Sequence, residues 1–134
     1  MKVEIKDKQI IITLGGQMIR NTIDLRALHA RPVQTPWGKA DFATEFAPGL
    51  VLYSTRGHGG FHVSAEWLAQ MPEPYRSAVP FTQRHGRSGP GWYEEDCDWA
   101  IVALSFPQFF TADELETAQS VFDDFCAKRM PSPV

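Results

Sequence analysis

The sequence predicts an α+β fold in which a small antiparallel sheet, built from two hairpins, packs against two or three helices. The first half of the chain holds β-branched and aromatic runs on either side of tight turns, as hairpin strands do. The second half holds a capping box followed by hydrophobic residues at helical spacing. The length of 134 residues and the hydrophobic fraction of 43% fit one globular domain, so we expect a single domain over 1–134.

Two hairpins account for the predicted sheet. The first covers 3–14, where β-branched runs flank a polar two-residue turn. The second covers 39–54, with Pro48-Gly49 as the turn between two runs of good strand formers. Residues 61–63 are a candidate third strand beside this second hairpin.

A short helix is predicted between the hairpins. Asn21 or Thr22 would cap it, and Ile23, Leu25 and Leu28 recur at helical spacing. The Arg-Pro dipeptide that follows would end it, because the residue before proline is disfavoured in the helical conformation.

Two further helices are predicted in the middle of the chain. Ser64 is placed to cap a helix over 65–71. The segment 94–106 becomes apolar on all sides from Trp99 onward, so a buried helix and a buried strand both fit. We favour the helix, because acids at the start of the segment suit the positive end of a helix dipole.

The last predicted helix covers 111–128. Thr111 and Glu114 form a capping box, in which each side chain accepts a hydrogen bond from the other's backbone amide. Hydrophobic residues then recur at helical spacing through Phe125 and Cys126. Earlier in the chain, residues 83–91, which are rich in Gly and Arg and come before the segment 94–106, are predicted to form a mobile loop.

Charge is distributed unevenly along the chain, although the net charge is only −3. Residues 1–90 hold seven acids and eleven bases, whereas residues 91–127 hold no Lys or Arg. The nine acids of that stretch are Glu94, Glu95, Asp96, Asp98, Asp113, Glu114, Glu116, Asp123 and Asp124. Phosphate contacts need clustered Lys or Arg, so this region is not expected to bind nucleic acid directly. It fits a protein partner with a basic surface.

The sequence predicts a cytoplasmic protein that does not enter a membrane. No apolar run approaches the ~18 residues that a membrane span needs. The first ten residues alternate charged and hydrophobic side chains, unlike a signal peptide. Cys97 and Cys126 form no recognised motif, which indicates reduced thiols.

His58 lies in a glycine-rich loop, 57–60, that follows a predicted strand. Glycines permit close approach of a ligand or of another strand. His58 is therefore a candidate acid, base or metal ligand, although a tight structural turn explains the same pattern.

Four acids crowd into five residues: Glu94, Glu95, Asp96 and Asp98. Because like charges repel, we expect a counter-charge, and the loop around His58 is predicted to lie against this segment. Two carboxylates with His58 and His62 would form a metal site. That alternative is weaker, because histidines four residues apart lie farther apart on a strand than on a helix. We therefore expect no metal and no cofactor.

The outer face of the last helix is acidic. Asp113, Glu116, Asp123 and Asp124 fall opposite the hydrophobic side that includes Phe122. An ordinary solvated face would explain this pattern, as would an acidic surface that docks on a basic groove. The absence of bases on the helix favours the second, since solvated helices usually mix charge signs.

Three segments carry a family resemblance: TPWG at 35–38, Ser54-Thr55 with HGGF at 58–61 and Ser64, and WYEEDCDWA at 92–100. Through them the chain resembles a bacterial domain family of unknown function found in plasmid- and phage-associated proteins. The resemblance covers roughly residues 35–110 and implies no catalytic residue. By analogy with small stand-alone proteins of mobile elements, it implies an anti-defence inhibitor such as an anti-CRISPR.

Three hypotheses follow for function. The first is a non-enzymatic inhibitor, encoded by a phage or mobile element, that occupies a basic nucleic-acid-handling surface of a host defence complex. Its predicted partner-binding residues are Glu94, Glu95, Asp96, Asp98, Asp113, Glu116, Asp123 and Asp124. The second is an enzyme in which His58 with Glu95 or Asp96 forms an acid–base pair or metal site beside Trp37 and Trp92. The third is a structural or regulatory domain whose motifs only stabilise the fold.

Overall fold

The computed structural model describes residues 2–6, 9–14, 18–27, 33–80, 83, 86 and 89–126, and it confirms the α+β fold. Its strands are β1 (Lys2–Lys6), β2 (Gln9–Leu14), β3 (Met18–Asp24), β4 (Gln34–Thr35), β5 (Gly38–Lys39), β6 (Phe42–Ala47), β7 (Leu50–Ser54), β8 (Gly59–Val63) and β9 (Trp92–Glu94). Its helices are α1 (Ala65–Leu68), α2 (Trp99–Ser105) and α3 (Ala112–Val121). Short 3-10 turns cover Leu25–Ala27 and Pro107–Phe109, and a π-helical turn covers Phe122–Cys126.

Both predicted hairpins are confirmed, as β1–β2 and β6–β7, and the predicted third strand is β8. They belong to one antiparallel sheet, whose seven described strands run in the order β1-β2-β3-β6-β7-β8-β9. The sheet is larger than the sequence predicted because β3 joins the hairpins and β9 extends the second one. The small hairpin β4–β5 lies outside this sheet, between β3 and β6 in the sequence.

The predicted helix that starts at Asn21 or Thr22 is wrong. Residues 18–24 form β3, which pairs with β2 on one side and β6 on the other, and only a 3-10 turn follows at Leu25–Ala27. The Thr22 hydroxyl lies 2.7 Å from the Thr44 hydroxyl across the strand pair. Ladder hydrogen bonds on both edges satisfy this backbone more fully than a short isolated helix would. Leu28 and the Arg31-Pro32 dipeptide that was expected to end the helix lie outside the described residues.

The middle helices are confirmed with different boundaries. Ser64 occupies the N-cap of α1, but its side chain makes no capping hydrogen bond, and its hydroxyl oxygen is buried without a partner among the described residues. The apolar run after Trp99 is helical, as favoured, but Glu94 ends β9 and the helix starts only after Asp98. Of the predicted mobile loop 83–91, only residues 83, 86 and 89–91 are described.

The capping box of the last helix is confirmed. The Glu114 backbone amide donates to the Thr111 hydroxyl at 3.1 Å, and the Thr111 amide donates to the Glu114 carboxylate at 2.8 Å. The chain stays helical through Cys126, changing to π-helical pairing after α3. The predicted end at residue 128 lies outside the described residues.

The core lies between the helices and one face of the sheet. Ala100, Ile101, Val102 and Ala103 of α2 are at most 1% exposed, and α3 packs against α2. Alternate strand residues enter this core from what we call the covered face: Leu52, Phe61, Val63 and Tyr93. Their neighbours in sequence point to the opposite, open face: Tyr53, Gly60, His62, Trp92 and Glu94.

Arg20 of β3 ties the sheet to the start of α3. Its guanidinium donates to both carboxylate oxygens of Glu114, at 2.9 and 2.7 Å, and to the backbone carbonyl of Phe109 at 2.8 Å. It also lies 4.2 Å from the centre of the Phe46 ring. A bidentate pair of this kind fixes orientation as well as adding energy.

Replacing Glu114 with Gln should lower the free energy of unfolding by about 1–3 kcal/mol at pH 7, because Arg20 loses a charged acceptor. The matched control is Glu116→Gln, an exposed change on the same helix, which should alter stability by no more than about 0.5 kcal/mol. Urea unfolding of both variants measures the difference.

The effect should also depend on pH. Burial acts to raise the pKa of the Glu114 carboxyl, but hydrogen bonds from Arg20 and Thr111 outweigh it and lower the pKa below 4.5. A carboxyl group whose pKa is lowered by folding stabilises the folded state at pH values above its pKa in the unfolded chain. This stabilisation is lost as the pH falls through the pKa of the group in the folded state. The difference in free energy of unfolding between the parent and Glu114→Gln should therefore be largest at pH 7 and decrease below about pH 4. A constant gap would contradict the role given to this pair.

Candidate functional site

His58 is held by a tight turn between β7 and β8. The Thr55 amide and hydroxyl both donate to the His58 carbonyl, at 2.7 and 2.6 Å, and the His58 amide donates to the Thr55 hydroxyl at 3.1 Å. These bonds fix the backbone, whereas the imidazole side chain is exposed. The tight structural turn is therefore present, and it leaves the imidazole of His58 exposed as a candidate functional group.

Pairing of β8 with β9 brings the acid-rich segment to this turn, as the sequence predicted. Gly60 pairs with Glu94, and the Glu95 amide donates to the Gly59 carbonyl at 2.9 Å. One potential ligand atom from each of His58, Glu94 and Asp96 lies within 4.8 Å of the others. We call these three residues the His58 trio.

The trio differs in one member from the predicted acid–base pairs. Asp96 is beside His58, but Glu94 rather than Glu95 is the third member. Consecutive residues of a strand point to opposite faces, so Glu94 and Glu95 diverge. Whether His58, Glu95 or Asp96 is catalytic stays a prediction.

Aromatic rings surround Gly60 on the open face of the sheet. The Trp37 ring lies so close to Gly60 that a Cβ there would overlap it. The edge of Trp37 meets Trp92 at 5.8 Å between ring centres, and Tyr53 lies 6.0 Å from Trp92. Trp37 and Trp92 therefore lie together on the open face near Gly60, the residue that pairs with Glu94.

His62 is also part of this aromatic cluster. Its ring centre lies 4.5 Å from that of Trp92, and burial lowers the pKa of its imidazole. Of the predicted metal set of two carboxylates with His58 and His62, the described residues bring together His58 and two carboxylates, Glu94 and Asp96, without His62.

Glu95 contributes instead to a cleft of about 170 Å³ on the covered side. The walls are mainly apolar and come from Phe46, Leu52, Phe61, Trp99 and Phe110, with Arg20, Glu95 and Glu114 as charged members. Burial, and next the charge of Asp96, raise the pKa of Glu95, while His58 acts in the opposite direction. This cleft was not predicted from the sequence, in which Arg20 had no assigned role.

Asp98 is not a surface residue, so its predicted role as a partner contact is wrong. Only 1% of it is exposed, and the Cys97 thiol lies 3.6 Å from its carboxylate. Burial, and next the charge of Asp98, raise the pKa of Tyr93 to about 12. Cys97 is itself buried, with 4% exposed. Both residues belong to the interior beneath the acid-rich segment.

The other predicted partner-binding acids remain available. Glu94 is half-buried, and six acids are exposed: Glu95, Asp96, Asp113, Glu116, Asp123 and Asp124. We call these six the acidic set. Ala118 and Phe122 are buried on the opposite side of the last helix, as predicted. Partner binding by the acidic set stays a prediction.

Substitution of Gly60 should test the packing of the open face. Gly60→Ala places a methyl group against the Trp37 ring and the Tyr93 carbonyl, so it should destabilise the fold by about 1–3 kcal/mol. Gly57→Ala is the control, because a Cβ there meets no atom within 4 Å among the described residues. Thermal melting with tryptophan fluorescence should show a lower midpoint for Gly60→Ala only; equal midpoints would contradict the packing of Trp37 on this strand.

Comparisons with known proteins add a family and no activity. None of the described helices is long and apolar enough to cross a membrane. Neither a search of curated proteins nor a search of solved structures gave a match. A family model described as "Domain of unknown function (DUF7007)" matches residues 30–131, most of the chain. The chain therefore belongs to this family of unknown function.

Proposed function

We propose that this protein is a non-enzymatic binding module that occupies a basic surface of a protein partner. The acidic set makes the charged contacts, and no cofactor takes part. In its specific form, the proposal is a phage or mobile-element inhibitor that covers a nucleic-acid-handling surface of a host defence complex, as an anti-CRISPR does.

The distribution of the nine acids between 91 and 127 carries this proposal. The fold uses Asp98 in the interior and Glu114 in the pair with Arg20. The six acids of the acidic set are exposed, in a stretch without a single Lys or Arg. Clustered charge of one sign raises association rates with an oppositely charged surface and selects against other partners.

The cleft beside Glu95 supports the same proposal. An Arg or Lys side chain of the partner could lay its aliphatic stem on Leu52 and Trp99 while its charged end meets the Glu95 carboxylate. Interface residues that contribute most binding energy are commonly such anchors in desolvated pockets, surrounded by weaker contacts. The cleft would provide the anchor, and the acidic set the surrounding charge.

A matched pair of double variants tests the acidic set. Glu116→Lys with Asp124→Lys, and the control Glu45→Lys with Glu66→Lys, change four exposed residues and shift the net charge equally. Both should fold, since isolated surface changes usually lie within about 0.5 kcal/mol. Only the first should weaken partner binding, by at least about tenfold, because like charges then face each other.

The assay is inhibition of a nucleic-acid-cleaving defence system in cells, with a melting curve of each variant. Binding should also weaken with added salt, because exposed charges are screened within about 8 Å at physiological ionic strength. If both double variants inhibit like the parent, Glu116 and Asp124 belong only to a solvated face of the last helix. If the parent inhibits none of the systems tested, the anti-defence form of the proposal fails.

A second candidate is an enzyme in which His58 acts with Asp96 or Glu95 as an acid–base pair. The convergence of His58 and Asp96 favours it. His58→Ala separates the two candidates in the same assay. An enzyme should lose its cellular effect with this substitution, whereas the binding module should keep it and lose it only with the Glu116 and Asp124 reversal.

A further inference from the structure

The His58 trio comes from three different positions of the backbone. His58 lies in the turn before β8, Glu94 ends β9, and Asp96 lies in the turn that leads to α2. Its potential ligand atoms, one nitrogen and two oxygens, are within 4.8 Å of one another. The trio therefore brings an imidazole to two carboxylates and is more than a local run of acids.

Hydrogen bonds hold the backbone at each side of the trio. Thr55 fixes the turn at His58, while the Gly60–Glu94 pairing and the Glu95–Gly59 hydrogen bond fix the other side. The His58 and Asp96 side chains are exposed. A backbone fixed by hydrogen bonds, with two of the three side chains exposed, suits a site whose last adjustment is made by the ligand.

We propose that His58, Glu94 and Asp96 bind one divalent transition-metal cation of the Zn²⁺ type, with the remaining coordination position open to water. This cation site does not depend on binding by the acidic surface of α3. It lacks one ligand of the metal set that the sequence suggested, because His62 packs against Trp92 instead.

The donor atoms indicate the kind of cation. Imidazole nitrogen suits Zn²⁺ and its neighbours in the first transition row, whereas Mg²⁺ and Ca²⁺ prefer oxygen ligands alone. Zinc sites with three protein ligands and one open position are common, with metal–ligand distances of about 2.0–2.2 Å. At those distances tetrahedral ligand atoms lie about 3.4 Å apart, so the trio needs only a modest side-chain contraction from its separation of up to 4.8 Å.

The test uses the full chain without a histidine tag, titrated with ZnCl₂ and separately with MgCl₂ by isothermal calorimetry. We compare the parent with His58→Ala, Asp96→Asn and the control Glu66→Gln, an exposed carboxylate outside the trio. Melting curves without metal establish that each variant folds. If His58→Ala does not fold, Asp96→Asn decides the result.

One Zn²⁺ should bind per chain with a dissociation constant below about 10 µM. His58→Ala and Asp96→Asn should each weaken this binding at least tenfold, Glu66→Gln should not, and Mg²⁺ should bind at least a hundredfold more weakly. Zn²⁺ binding that is equal in all four proteins would overturn the proposal, as would absence of Zn²⁺ binding. If Asp96→Asn weakens Zn²⁺ binding but His58→Ala folds and binds Zn²⁺ like the parent, the three-ligand site is also overturned.

Discussion

Pairing between β8 and β9 places the acid-rich segment in three environments at once. With Gly60 opposite Glu94, the alternation of the strand directs Glu94 to the open face and Glu95 toward the cleft. Beyond the strand, Asp96 returns to His58, and Asp98 enters the core at the start of α2. A slip of one residue in this register would exchange the two faces, and both candidate sites would be lost.

The two adjacent glycines of β8 allow the neighbouring strands and the Trp37 ring to approach this strand closely. A Cβ on Gly59 would meet the Tyr53 carbonyl, and one on Gly60 would meet both Trp37 and the Tyr93 carbonyl. The absent side chains thus leave room for neighbouring strands and for the tryptophan ring. The glycine-rich loop, which suggested ligand binding in the sequence, is explained first by strand packing, and that packing is what brings His58 to the acids.

Local signals predicted local structure. Turn residues between β-branched runs indicated both hairpins, and the Thr111–Glu114 capping box indicated the start of α3. The segment 18–24 was mistaken for the start of a helix because its strand identity depends on partners on both sides, β2 and β6, that lie elsewhere in the chain. The general position of the candidate site was predicted from charge, since His58 and the acids attract each other. Its membership was not, because Glu94 and Glu95 can be separated only when the start, end and register of β9 are known.

Tertiary packing gives the nine acids of residues 91–127 different environments, which the charge pattern alone does not reveal. In the structure Asp98 is interior and Glu114 neutralises Arg20, so neither contributes charge to a partner. A cation held by the His58 trio would in turn neutralise Glu94 and Asp96. The charge left for a protein partner would then be Glu95 at the mouth of the cleft and the four exposed acids of the last helix. The two proposals are thus compatible on one chain, because they share only Asp96: the trio lies at the turn before β8, whereas the rest of the proposed partner surface comprises Glu95 and the exposed acids of the last helix.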